Sequence, residues 1–232
     1  MTAPRLAVLG GTGKFGLGLA WRLGLGGAEV VIGSRDEQRA SEAAARVRSG
    51  LDQAGAMSAG ELAVSGATNR AAAATGQVVF VSVPFAGQAA LLEELGSELD
   101  GKLVIACGVI WPPGSRPETS AAEEAERVLR QAGAARVRVA AAFQTIGAGL
   151  LRRAPVPAAE ESAPDVLVFA DEVAEREAAS RAAGLTGLRA VPVGPLRKSR
   201  AAEAALGMLL DLNRGAARHA GLMITGLKPP AA

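Results

Sequence analysis

The sequence predicts an α/β fold, a doubly wound and mostly parallel sheet followed by a small helical C-terminal part. Three observations carry this. Short apolar runs of strand character alternate with longer runs of helical period along nearly the whole chain. Residues 6–35, "LAVLGGTGKFGLGLAWRLGLGGAEVVIGSR", read as strand, Gly-rich turn, helix and strand. The last strand-like run is followed by residues 196–219, which read as one long helix with Gly207 and Gly215 as soft points.

The elements follow in order. "RLAVLG" (5–10) is a buried strand, "GTGKFG" a turn, and "KFGLGLAWRLGLGG" a helix with Phe15, Leu19, Leu23, Gly16 and Ala20 on one face. "AEVVIGSR" is the second strand, and "DEQRASEAAARVRS" a helix that Asp36 caps. Residues 51–60 read as a Gly-rich loop, 61–64 as a short strand and 68–74 as a short helix. "QVVFVSV" (77–83) is a buried strand stopped by Pro84, 86–97 is helical, and "KLVIACG" is the next strand. "VIWPPGSRP" holds three prolines and is excluded from regular structure. A helix over 118–132, a strand over 136–142, and "FQTIGAGLLRR" turning into a short helix come next. A Pro-rich linker (154–164), a strand (165–170), a helix (171–183) and the strand "LRAVPVG" complete the pattern.

Composition narrows the class. Of 232 residues, 49% are apolar and 21% charged, which excludes a disordered chain. A net charge of +2 is too small to argue for nucleic acid as a partner. One Cys and one His exclude a disulfide framework and make a metal site an unfounded expectation. No signal-peptide pattern and no apolar run of about eighteen residues are found, so a cytoplasmic protein with no membrane partner is expected.

Gly11, Gly13 and Gly16 satisfy G-x-G-x-x-G between a strand and a helix. The first allows a tight turn, the second a close approach to a pyrophosphate, and the third close packing of helix on sheet. The free N–H groups of the helix start then meet the phosphate charge. An NAD site carries Asp or Glu at the end of the second strand, to bond the ribose 2′-hydroxyl. That place holds Ser34 and Arg35, about 18 residues past Gly16. A guanidinium pairs with a 2′-phosphate that a carboxylate would repel. With Arg39 one helical turn further on, the expected cofactor is NADP(H).

Ligands of open α/β sheets sit beyond the carboxyl ends of the strands. Ser82, Val83 and Pro84 end one strand and are expected at the nicotinamide ribose. Ile110 and Trp111 follow the next and offer an apolar wall to a planar ring, while Gln144, Thr145 and Ile146 are pocket candidates at a third. Cys107 reads as core, and His219 stands alone in the long helix. No acid/base pair stands out, so no catalytic side chain is assigned; a hydride passed between two cofactor rings needs mainly positioning.

The segments "LGGTGKFGLGLAWRL", "VVIGSRDEQRA", "VSVPF", "AAFQTI", "VGPLRKSRAAEAA" and "HAGLMITGL", in that order over nearly the whole chain, resemble the NADPH-dependent reductases of coenzyme F420, an 8-hydroxy-5-deazaflavin. The resemblance implies a Rossmann-type N-terminal domain (1–195) that binds NADP, a C-terminal helical segment (196–232) that completes the substrate pocket, and a homodimer. It implies hydride transfer between the nicotinamide and the deazaflavin. It puts Thr12, Gly13, Lys14 and Phe15 on the pyrophosphate and Ser34, Arg35 and Arg39 on the 2′-phosphate. Residues 144–146 match a segment lining the deazaflavin pocket; Gln144 departs from the usual His or Asn, and Gly147 from a frequent Pro. Arg152 with Arg153, or Arg197, Lys198 and Arg200, are candidates for the anionic tail of the deazaflavin, and the apolar arc of the long helix for a dimer contact. Two other functions stay open on the residues alone: an NADPH reductase of a small imine or ketone, and an NADPH-binding protein without turnover.

Overall fold

The computed structural model describes residues 5–54, 64–152, 163–215 and 219–227. The first half runs β1 (Arg5–Leu9), α1 (Lys14–Leu25), β2 (Glu29–Ser34), α2 (Glu37–Gln53), β3 (Val64–Thr68), α3 (Asn69–Thr75), β4 (Val78–Val81), α4 (Phe85–Glu94) and α5 (Gly96–Leu99). The second runs β5 (Leu103–Ala106), α6 (Ala121–Gln131), β6 (Arg138–Ala142), α7 (Ala148–Leu151), β7 (Val166–Phe169), α8 (Val173–Gly184), β8 (Ala190–Gly194) and α9 (Ser199–Arg214). The eight strands form one sheet in the order β3-β2-β1-β4-β5-β6-β7-β8. β6 and β7 are antiparallel and the other neighbours parallel, as the alternation of elements predicts.

Strand side chains alternate between two buried layers. Leu6, Val8, Val30, Ile32 and Phe80 face a core shared with α1, α2 and α8. Ala7, Leu9, Val31, Val79 and Val81 face one shared with α4 and α6. The chain goes from β1 out to β3 and then returns to the other side of β1 with β4, so the strand order reverses between β1 and β4. A crevice opens at such a reversal, beyond the carboxyl ends of the strands.

Four boundaries differ from the sequence reading. α2 continues to Gln53, into the start of the expected loop, because Val47 and Leu51 lie one turn apart on its buried face; residues 55–60 of that loop lie outside the described residues. β3 begins at Val64 and extends to Thr68, while residues 61–63 of the expected strand lie outside the described residues. The helical run over 86–97 breaks at Leu95, and a side chain on Gly96 would meet the Ala132 carbonyl at 2.3 Å. The C-terminal helix stops at Arg214; His219 lies beyond it, exposed, with φ of 61°.

One buried charge fixes how the second half leans on the first. Arg22 on α1 is 2% exposed. Its guanidinium donates to the carbonyls of Leu150 (3.3 Å) and Leu151 (3.3 Å) at the end of α7, and of Thr186 (3.4 Å) after α8. Burial lowers its pKa below the usual arginine value.

Candidate active site

A cleft of about 660 Å³ opens at the strand-order reversal, lined among others by Gly10, Thr12, Gly13, Ser34, Arg35, Arg39, Asn69, Val83 and Pro84. Glycine is required at its floor. Gly10 has φ of +66°, and a Cβ there would lie 2.3 Å from Val83 Cγ1, so no side chain fits between the ends of β1 and β4. The Gly11 N–H donates to the Gly33 carbonyl (3.0 Å), which spends it on the fold and not on a ligand. Gly16 packs its α-carbon face on Gly11, where a Cβ would approach Gly11 Cα to 2.5 Å and Ser82 Oγ to 2.8 Å.

α1 then begins at Lys14, with Gly13 as its N-cap, no side-chain acceptor on its first N–H groups and no acidic residue in its first turn. Those N–H groups and the positive end of the helix dipole favour an anion there. Lys14 is exposed beside them and lines not the cleft but a second hollow, with Trp21, Arg46 and Arg152. Phe15 contributes backbone alone: its ring packs edge-on against Phe143, with centroids 6.2 Å apart.

At the other end of the cleft, Ser34 is buried and its hydroxyl accepts from the Asp36 N–H (3.3 Å). Asp36 Oδ1 accepts from the Arg39 N–H (3.1 Å), the cap that the sequence predicts, so this acid of the cleft lining is engaged by the helix; Glu94 also lines the cleft. The Arg35 and Arg39 side chains are exposed along the cleft and form no ion pair with any described residue. Two guanidinium groups thus face a cleft that leads to an uncapped helix start, an arrangement suited to a nucleotide with phosphates on both the 2′ and the 5′ oxygen of its adenosine ribose.

The remaining candidates separate. Val83 and Pro84 line the cleft, but the Ser82 hydroxyl donates to the Leu9 carbonyl (2.8 Å) and serves the junction of β1 and β4. Ile110 and Trp111 do not form the expected wall together. Ile110 is buried at 4% exposure, with its N–H bound to Glu203 Oε2 (2.9 Å), while Trp111 projects into solvent at 65%. Gln144 is buried, its Nε2 donating to the Ala106 carbonyl (3.0 Å), and Ile146 belongs to the core. Only Thr145 of this segment lines a recess, one of about 310 Å³ shared with Leu206, Leu209, Leu210 and Asn213 of α9 and with His219. Phe143 sets up this turn. It holds φ of 76°, a costly conformation for an aromatic residue, because its ring is wedged between Phe15 and Phe80. Among the basic candidates, Arg200 pairs with Glu123 (2.5 Å), Arg197 and Lys198 are exposed, and Arg153 lies outside the described residues.

Two functional residues escape the sequence reading. Asn69 opens α3, is 6% exposed, lines the cleft, and accepts from the Gly10 N–H at 3.1 Å. Its one signal is its place just past the carboxyl end of a strand, in a segment read as plain helix. Glu203, a lone acid within "RAAEAAL", is 3% exposed and accepts from the N–H groups of Ile110 (2.9 Å) and Ala121 (2.7 Å). Burial raises its pKa above the ordinary glutamate value, and the two N–H donors partly offset this.

Comparison with known proteins bears on what this geometry serves. Residues 5–109 match the family described as NADP oxidoreductase, coenzyme F420-dependent. The F420-dependent NADP reductase of Methanothermobacter thermautotrophicus is 38% identical over 240 residues, which cover 96% of this chain and 95% of that protein. The chain belongs to the F420-dependent NADP reductase family. The family member from Methanocaldococcus jannaschii is 34% identical, over 97% of this chain and 99% of that protein. Among solved structures, a candidate F420-dependent NADP-reductase from Arthrobacter sp. FB24 superposes with a TM-score of 0.68 at 23% identity, covering 90% of this chain and 93% of that one. An imine reductase variant from Myxococcus stipitatus superposes with a TM-score of 0.59 at 19% identity, covering 92% of this chain and 64% of that one. At these identities the structural likeness shows the fold, the same α/β architecture that this reductase chain builds.

Proposed function

We propose that this chain is an oxidoreductase that transfers a hydride, in either direction, between NADPH and coenzyme F420. The observation that carries the reading is the cleft. Its floor excludes any side chain at Gly10, and its far end presents Arg35 and Arg39 while Asp36 caps α2. The N–H groups around Thr12, Gly13, Lys14, Phe15 and Gly16 hold the pyrophosphate, Ser34, Arg35 and Arg39 hold the 2′-phosphate, and Val83 and Pro84 border the nicotinamide end. The nicotinamide and deazaflavin rings supply the hydride donor and acceptor; the protein contributes alignment and exclusion of water.

The deazaflavin site lies at the turn after β6, where Thr145 meets α9, with Gln144 and Ile146 buried behind it. Residues 196–232 thereby act as a segment added to the nucleotide-binding domain of residues 1–195, closing the second pocket with Leu206, Leu209 and Leu210. Ile110 supports that segment through Glu203, and Trp111 is left for a contact outside the chain. Met208 and Leu212, one turn apart and exposed on α9, suit a homodimer contact, which sedimentation velocity tests directly. The proposed setting is cytoplasmic, and no described helix is long and apolar enough to cross a membrane.

The test is the purified protein with NADPH and oxidised coenzyme F420, followed by loss of the deazaflavin's visible absorbance. Turnover with NADPH, and little with NADH, is the expected result. Intact NADPH binding with no bleaching of the deazaflavin would refute the assignment.

A further inference from the structure

The nucleotide cleft contains one polar side chain that neither the phosphate turn nor the arginine pair accounts for. Asn69 is 6% exposed and stands between the two halves of the site. Its Oδ1 accepts from the N–H of Gly10, in the turn that receives the pyrophosphate. The same oxygen also abuts Gly33, where a Cβ would lie 2.8 Å from it, and Gly33 directly precedes Ser34 and Arg35. The orientation of the amide is not free. A backbone N–H can only donate, so the atom facing Gly10 is the oxygen and the Nδ2 group points elsewhere. Nδ2 finds no acceptor among the described residues, although the side chain lines the cleft. Nδ2 is not among the sealed-off side-chain atoms, so it opens toward the cleft that the residue lines, and an amide held by its oxygen presents two N–H donors there to a ligand.

We infer that Asn69 is a specificity residue: its Nδ2 donates to the oxygen on the 2′ carbon of the adenosine ribose, the 2′-phosphate in NADPH, while its Oδ1 braces the phosphate turn. The inference rests on the assignment of the cleft to NADP(H). Asn69 differs from Arg35 and Arg39 in kind. The arginines are exposed and screened by salt, whereas this amide is buried and fixed, so its bond is directional and made in a drier place.

Asn69→Asp separates the two tasks, because a carboxylate keeps the acceptor for Gly10 but replaces the donor with a negative charge. Dissociation constants for NADPH and NADH are measured by fluorescence titration for the wild type, Asn69→Asp, Asn69→Ala and Arg35→Glu. For Asn69→Asp, NADPH affinity falls at least about tenfold and NADH affinity changes less than about threefold, the lost bond being charge-assisted. In Asn69→Ala the turn also loses its brace. Both nucleotides weaken, and NADPH weakens roughly tenfold more than NADH. The inference is overturned if either folded variant keeps the wild-type NADPH-to-NADH ratio within about twofold while Arg35→Glu collapses it, a result that leaves the cleft assignment standing. A ratio unmoved in Arg35→Glu as well overturns both.

Discussion

Replacing Glu203 by Gln tests how the C-terminal helix is held on the nucleotide-binding domain. Glu203 is 3% exposed and its two oxygens receive the N–H groups of Ile110 and Ala121 at 2.9 and 2.7 Å, one from the loop after β5 and one from the start of α6. Burial raises its pKa from the ordinary 4.5, so the folded state holds the proton better than the unfolded chain. The sign follows: what this group adds to stability is greatest below the ordinary value and falls as pH rises through the raised one. The negative charge is therefore not what the site gains from glutamate. The gain is two acceptors, and even a protonated carboxyl keeps a lone pair on each oxygen. A carboxamide has one acceptor, and its NH2 would face a backbone N–H. The cost is one buried N–H left unpaired, about 1–3 kcal/mol, and a donor–donor contact, partly offset by relief of the carboxylate's desolvation. A net loss of about 2 kcal/mol lowers the melting temperature by roughly 4–8 °C in a chain of this size. Thermal unfolding by circular dichroism reads the first effect. Steady-state kinetics reads the second, a KM for coenzyme F420 raised several-fold with the NADPH dissociation constant within about twofold, since α9 walls the recess and not the cleft. A Glu203→Gln protein melting within about 2 °C of wild type would refute the acceptor count.

The remaining predictions concern other parts of the structure. Gly10→Ala forces a Cβ against Val83 at a φ of +66°, so NADPH binding is lost and stability falls by about 2–5 kcal/mol, read by titration and denaturant unfolding. Arg35→Ala combined with Arg39→Ala weakens NADPH at least tenfold and flattens the salt dependence of its affinity, measured between low and physiological ionic strength. Asp165 is buried, which pushes its pKa up, but Arg189 and the Ile224 N–H outweigh that and hold it below the ordinary 3.8. Its contribution is present above that value and lost as pH falls through the lower folded one, so Asp165→Asn flattens the acid limb of a stability–pH curve. Cys107 is buried, which raises its thiol pKa, so Ellman's reagent leaves it unmodified in the native protein and labels it in denaturant.

The two halves of the candidate site differ in how far the sequence displays them. The nucleotide end is written in contiguous residues: Gly11 to Gly16 turn one strand into one helix, and Ser34, Arg35 and Asp36 sit at the next strand end, where the cap that removes Asp36 from contention is itself a local pattern. The other end is assembled from afar. Thr145 meets Leu206, Leu209 and Leu210 across more than sixty residues, and that meeting depends on Arg22 gripping α7 and on Glu203 gripping the loop at Ile110. Neither grip has a periodicity. A buried Arg on an apolar helix and a lone Glu among alanines look the same in sequence as solvated charges. Trp111 shows the consequence. Its neighbours in sequence make it look like the wall of a pocket, but once Glu203 draws the Ile110 N–H inward, the next side chain is left on the outside at 65% exposure. The same logic accounts for Asn69. A residue whose oxygen braces one turn and whose nitrogen faces the cleft acts through its two ends, and only the partner at Gly10, fifty-nine residues away, tells which end is which.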